Sequence, residues 1–181
     1  PERFEILVCD DGSIPPVPQR WDDLGSSPPV IRYFRQPPRG PAAARNMGIR
    51  DARAPLVAFI DSDTIPQPGC LSALVQALAE NPHAVGVEGA VVPPLPRSSP
   101  LEEAPCNDRG GVFLTANAAY RRDALLRVGG FDESFPYPAF EDVDLALKLE
   151  PYGRIAWAAD AVVVHPWRRM TWGAAARRVR Y

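Results

Sequence analysis

The sequence predicts an α/β domain built on a mostly parallel sheet flanked by helices. Three observations carry that reading. Apolar runs of strand length, bounded by turn residues, recur along the chain; segments with helical apolar spacing fall between them; and two of the apolar runs, FEILVC and LVAFI, stop at paired acids, Asp10 with Asp11 and Asp61 with Asp63. Strands alternating with helices imply right-handed crossovers and parallel pairing. In such sheets ligands bind beyond the carboxyl ends of the strands, which directs attention to those acids.

Taken in order, FEILVC (4–9) and VIRYF (30–34) are short apolar runs of strand type. AAARNMGIRDA (42–52) follows a proline-rich turn and reads as a helix, and LVAFI (56–60) is short and almost wholly apolar, as in a strand buried on both faces. PGCLSALVQALAEN (68–81) places Leu71, Leu74, Val75 and Leu78 on one helical face, with Pro68 in its first turn and Asn81 with Pro82 as its stop. AVGVEGAVV (84–92), VFLTANAAY (112–120) and RIAWAADAVVVH (154–165) supply three more strands. RRDALLRV (121–128) and EDVDLALKLEP (141–151) supply two more helices, the second with Asp144 and Lys148 at i,i+4.

Composition sets the outer limits. The 181 residues fit one domain, expected over 1–166, with a basic and aromatic C-terminal helix at 167–181. Hydrophobic residues at 46% and charged residues at 23% exclude a disordered or fibrous chain. The 22 prolines cluster at 15–18, 28–29, 37–41 and 93–105, marking rigid loops between elements. A net charge of −2 gives no basic field for a nucleic-acid partner, although Lys148 is the single lysine among 20 basic residues. Cys9, Cys70 and Cys106 are odd in number and widely spaced, which suits reduced thiols in the cytoplasm rather than a disulfide framework or a zinc site. There is no run of 18 apolar residues and no secretory leader; the chain begins at Pro1, so an N-terminal part is expected to be missing.

Two aspartates at i and i+2 beyond a strand can offer oxygens to a hard divalent ion, Mn²⁺ or Mg²⁺, which takes phosphate oxygens as further ligands. The same residues also suit a turn or a helix cap. CDDGS (9–13) repeats the pattern of an apolar strand ending in two acids and a glycine turn. In FEDVDLALKL (140–149), Glu141, Asp142 and Asp144 occupy the first turn of a helix, where the dipole stabilises acids and where a carboxylate can accept a hydroxyl proton.

CDDGS, AAARNMGI, FIDSD, TANAAYRRDALLRVGGFDE, EDVDLALKL and a strand ending in His165 occur in this order, and together they resemble a family 2 glycosyltransferase with the GT-A (Rossmann-like) fold over about residues 4–165. The resemblance implies transfer of a sugar from a UDP- or GDP-linked donor to a saccharide or lipid-linked hydroxyl acceptor, as in bacterial cell-envelope polysaccharide synthesis. It implies Asp61 and Asp63 as the DxD motif, with Asp63 the surer metal ligand and His165 a further one, His165 being equally readable as a histidine that bonds a neighbour. It implies Asp10, Asp11, Arg45 and Asp61 at the nucleotide-sugar, Asp142 as the base of an inverting transfer and Glu141 as its helper toward the acceptor. Retention of configuration, and a noncatalytic nucleotide- or carbohydrate-binding module on the same scaffold, are the alternatives. The family's usual first strand, ending in a Pro-Thr-Tyr-Asn-like turn and followed by a helix, has no counterpart before FEILVC. The tail's arginines and tryptophans suit either a solvated face or peripheral contact with the inner face of a membrane.

Overall fold

The computed structural model of the chain describes residues 4–17, 29–94, 97–135 and 139–171. Its architecture is α/β, with strands and helices alternating much as the apolar pattern predicts. The chain divides into two compact units, Pro1–Val57 with Tyr120–Arg154, and Ala58–Ala119 with Ile155–Tyr181. Each unit joins segments distant in sequence, so no linker composition marks the division.

In the first unit, β1 (Glu5–Asp10) pairs in parallel with β2 (Val30–Arg35), from Glu5 opposite Val30 to Asp10 opposite Arg35. Helix α1 (Pro41–Asp51) buries Ala42, Ala43, Asn46, Gly48 and Ile49. Gly48 permits close approach to β1, since a Cβ there would stand 3.3 Å from the Cys9 sulfur. Arg122, which opens α3 (Arg122–Arg127), closes the C-terminus of α1 by donating from Nε to the Ile49 carbonyl at 2.9 Å and from Nη2 to that of Arg50 at 2.8 Å. Helix α4 (Glu141–Leu149) runs into a 3-10 turn and buries Leu145 and Leu149 completely, each contributing about 2 kcal/mol by removal from water. The Asp144–Lys148 pair forms at 2.6 Å.

A five-stranded sheet in the order β3-β7-β5-β8-β4 comprises β3 (Leu56–Ile60), β4 (Ile65–Pro66), β5 (Gly86–Val92), β7 (Asn117–Arg121) and β8 (Ile155–Val164). Strand β5 lies parallel to β8, and helix α2 (Cys70–Glu80) packs on both through the predicted face, with Leu74 and Leu78 buried. The register slips between Gly89 and Ala90. The buried amide of Asn117 fills that irregularity, donating to the carbonyls of Ala90 at 2.9 Å and Ala161 at 2.7 Å. A side chain at Gly89 has no room, because its Cβ would lie 2.4 Å from the Asn117 amide nitrogen and 2.5 Å from the Ala161 carbonyl.

Several sequence expectations change. LVAFI is not buried on both faces: Val57 and Phe59 are buried, Ala58 and Ile60 exposed, and β3 stands at one end of the strand order. Strand β7 begins at Asn117, not at 112, because the backbone N–H groups of Gly111 and Phe113 donate to the buried Glu88 carboxylate instead of to a neighbouring strand. The chain after 167 is not helical where it is described. Arg168–Arg169 form strand β9, antiparallel to β6 (Glu102–Glu103), while residues 172–181 of the expected tail helix lie outside the described residues. No helix among the described residues is long and apolar enough to cross a membrane.

Candidate functional site

The apolar strand β3 delivers Asp61 and Asp63 to a tight turn. The N–H and the hydroxyl of Thr64 both donate to the Asp61 carbonyl, at 3.1 and 2.8 Å, and reverse the chain. Strand β4 then runs antiparallel to the end of β8, Ile65 opposite Val164, so the turn falls beside His165. The N–H of His165 donates to the Val92 carbonyl at 2.8 Å, which fixes it against the end of β5.

His165 is wholly buried. Its Nδ1 stands 3.0 Å from the Pro166 carbonyl, which can only accept, so Nδ1 donates and the neutral imidazole presents a lone pair on Nε2. That Nε2 has no hydrogen-bond partner and lies 3.8 Å from Asp63 Oδ1, too far for a hydrogen bond. The other Asp63 oxygen, Oδ2, accepts from Arg168 Nη2 at 2.6 Å. Partial burial pushes the Asp63 carboxyl up, but the hydrogen bond and charge of the Arg168 guanidinium oppose it, and the group is held below its usual range. One ligand atom from each of Asp61, Asp63 and His165 lies within 4.8 Å of the others. Two carboxylates and an imidazole nitrogen are donors that suit a divalent cation, and Asp63, 40% exposed, leaves the cluster open to solvent.

The remaining sequence-predicted residues lie in the first unit. Asp10 accepts from the Tyr33 hydroxyl at 2.5 Å and from the Ser13 N–H at 2.8 Å, with Arg35 Nε at 3.3 Å. The Tyr33 bond and the Ser13 bonds hold its carboxyl far below the usual range. Asp11 accepts from Gln36 Nε2 at 2.7 Å and from the N–H groups of Arg39 and Gly40 at 2.9 and 2.7 Å, so it ties the CDDGS turn to the chain entering α1. Arg45 donates to Glu141 at 2.6 Å and lies 5.4 Å from the Phe131 ring centroid. Glu141 is buried, and its second oxygen has no hydrogen-bond partner. Burial raises the carboxyl of Asp142 above its usual value; the Val143 N–H opposes that shift and the neighbouring Glu141 charge adds to it. Asn46 joins α1 to the GGFDE turn by accepting from the Phe131 N–H and donating to the Phe131 carbonyl, both at 2.8 Å.

Asp61, Asp63 and His165, named together from the sequence, lie near one another in the structure. Sequence reasoning misses Tyr33, Asn46 and Glu88, which reach their partners across the fold, and it assigns Arg168 to the tail rather than to Asp63. The signal for Arg168 is its position three residues after His165, in HPWRR.

Residues 1–129 match the family described as Glycosyl transferase family 2. The chain is 32% identical over 91% of its length to a pre-mycofactocin glycosyltransferase of Mycobacterium tuberculosis, and 30% identical over 72% of its length to a glucosyl-dolichyl phosphate glucuronosyltransferase of Haloferax volcanii. It spans 38% and 47% of those proteins respectively. Among solved structures it shares a fold with a mannosyltransferase from Pyrobaculum calidifontis in complex with GDP-Man and Mn²⁺, at a TM-score of 0.59 and 22% identity over 83% of this chain and 43% of that one.

Proposed function

The chain belongs to glycosyl transferase family 2, and on that premise we propose that it transfers a sugar from a nucleoside-diphosphate donor to a hydroxyl acceptor, with Mn²⁺ or Mg²⁺ held by Asp61, Asp63 and His165. The observation that carries the metal assignment is the buried His165 Nε2, without a hydrogen-bond partner and facing Asp63 Oδ1. A bound divalent ion supplies Lewis-acid stabilisation of the negative charge that gathers on the departing diphosphate.

The protein's own groups do the rest. Asp11 and Asp10 shape the CDDGS turn that receives the nucleotide, and Arg45 acts there from helix α1. Asp142 takes the proton of the acceptor hydroxyl as its oxygen bonds to the anomeric carbon, while the bond from that carbon to the diphosphate breaks and its electron pair leaves with the phosphate oxygen. This is an inverting displacement. Burial suits Asp142 to the task, because a carboxylate with a raised pKa is a better proton acceptor once ionised. Glu141 orients the acceptor while paired with Arg45.

The relatives include a pre-mycofactocin glycosyltransferase and a glucosyl-dolichyl phosphate glucuronosyltransferase, which supports a saccharide or a lipid-linked hydroxyl as the acceptor classes to test. The name of the mannosyltransferase complex supports a GDP-linked donor as the first to test. Calorimetric titration of GDP and of UDP, each with Mn²⁺ and then with EDTA, is expected to show heat for one nucleotide only when the ion is present. Nucleotide binding that ignores EDTA overturns the metal assignment. NMR of the product's anomeric configuration tests inversion, and retention overturns the role of Asp142.

A further inference from the structure

Arg168 sits on a structured arm. Strand β9 pairs antiparallel with β6, Arg168 opposite Glu103 and Arg169 opposite Glu102, and the Met170 N–H donates to the Leu101 carbonyl at 2.8 Å. Opposite charges directly across such a pair help hold it. The backbone of Arg168 is therefore anchored, while its side chain, 56% exposed, reaches Asp63 Oδ2 at 2.6 Å. It leaves Oδ1, the oxygen that faces His165, to other partners.

Charge then has two opposite effects. A guanidinium on Asp63 neutralises part of the attraction that the cluster offers a bare divalent ion and adds a second positive charge beside it. When phosphate oxygens arrive, the sign reverses, because a planar guanidinium fork is suited to phosphate and adds to the attraction of the ion. We infer that Arg168 makes ion binding at the Asp61, Asp63 and His165 cluster conditional on a diphosphate, weakening the bare ion and strengthening the ion bound together with the anion. The inference rests on the cluster being the ion site proposed above, and it adds a positioning residue to that site. By linkage, whatever Arg168 does to the ion's dependence on diphosphate it also does to the diphosphate's dependence on the ion.

The test is calorimetry of Mn²⁺ into the whole chain, with and without inorganic pyrophosphate, in the unmodified protein and in Arg168→Ala, Arg169→Ala and Asp63→Ala. In Arg168→Ala, Mn²⁺ alone is expected to bind about two- to fivefold tighter, the range set by an exposed ion pair. The enhancement of Mn²⁺ affinity by pyrophosphate is expected to fall about fivefold or more in the same variant. Arg169→Ala removes the same charge from the adjacent position, with no contact to Asp63, and is expected to change neither value. Unchanged or weaker Mn²⁺ binding in Arg168→Ala, an undiminished pyrophosphate effect, or equal changes in Arg169→Ala each overturn the inference while leaving the ion site standing. Mn²⁺ binding that survives Asp63→Ala overturns the ion site itself.

Discussion

Two pairs of aspartates follow two apolar strands, and they differ in who satisfies them. Asp10 and Asp11 accept from Tyr33, Ser13, Gln36 and the N–H groups of Arg39 and Gly40, all donors of the protein itself. Asp63 accepts from one exposed arginine and faces a buried histidine nitrogen that has no hydrogen-bond partner. A buried polar atom without a partner costs about 1–3 kcal/mol, a cost that a ligand at His165 Nε2 would relieve. The first pair is built as structure that can also present a surface; in the second, Asp63 stands beside an imidazole nitrogen that the proposed ion would engage.

The largest expected effect comes from Asp63→Ala. If the cluster holds the ion, turnover drops about a thousandfold, the several kcal/mol that Lewis-acid stabilisation supplies, with thermal stability nearly unchanged. Equal losses of stability and activity would erase the difference between the two pairs. Next is Asp142→Asn, expected to lower kcat by about a hundredfold or more while nucleotide binding by calorimetry is retained. Because Asp142 must be ionised to accept a proton, activity is expected to fall as pH drops through its raised pKa. Glu141→Gln removes the adjacent negative charge that helps raise it and releases Arg45, whose charge lowers it, so the acid limb of the pH–rate profile moves to lower pH. A limb that stays in place would detach Asp142 from that environment.

Much of this was legible in the sequence. The strands at 5–10, 56–60 and 155–164 and the helix at 70–80 lie close to where apolar periodicity places them, because each buries a face that periodicity records. The meeting of Asp61, Asp63 and His165 follows from two strand ends at one edge of a sheet. What was not legible depends on contacts with no sequence period. Phe113 adopts a φ of 63° in a loop whose N–H groups bind Glu88, and a buried glutamate serving a loop 23 to 25 residues away looks, in sequence, like one polar residue in a strand. Arg168 reads as one arginine of a basic tail until β6, two acids in a proline-rich stretch, pairs with it.

Stability effects sharpen the comparison further. Gly89→Ala forces a methyl group into the Asn117 amide and the Ala161 carbonyl and is expected to cost about 2 kcal/mol, seen as a lower midpoint in urea. Tyr33→Phe removes the strongest donor to Asp10. A carboxyl held low in the folded state contributes stability that is full above its unfolded pKa of about 4 and is lost as pH falls through the folded value. The variant is therefore expected to melt a few degrees lower at neutral pH and to unfold in acid at higher pH than the parent. An unchanged acid transition would mean that Asp10 does not depend on Tyr33.

The smallest effect is the most discriminating about how the two pairs are held. Arg39 donates to Asp11 through its backbone N–H, while its side chain pairs with Glu133 at 2.7 Å on the surface. Arg39→Ala deletes the guanidinium and leaves the backbone donor in place, and Glu133 keeps its bond from Asn46 at 3.0 Å. The expected loss is about 0.5 kcal/mol or less, a shift of one or two degrees in melting temperature, with nucleotide affinity unaltered. At Asp63 the cation is a side chain, so a single substitution removes it; at Asp11 the donors at 39 and 40 are main chain, and no substitution of the Arg39 side chain removes them. A large loss of nucleotide binding in Arg39→Ala would show that the guanidinium itself serves the nucleotide, and that the CDDGS turn, like Asp63, relies on a movable charge.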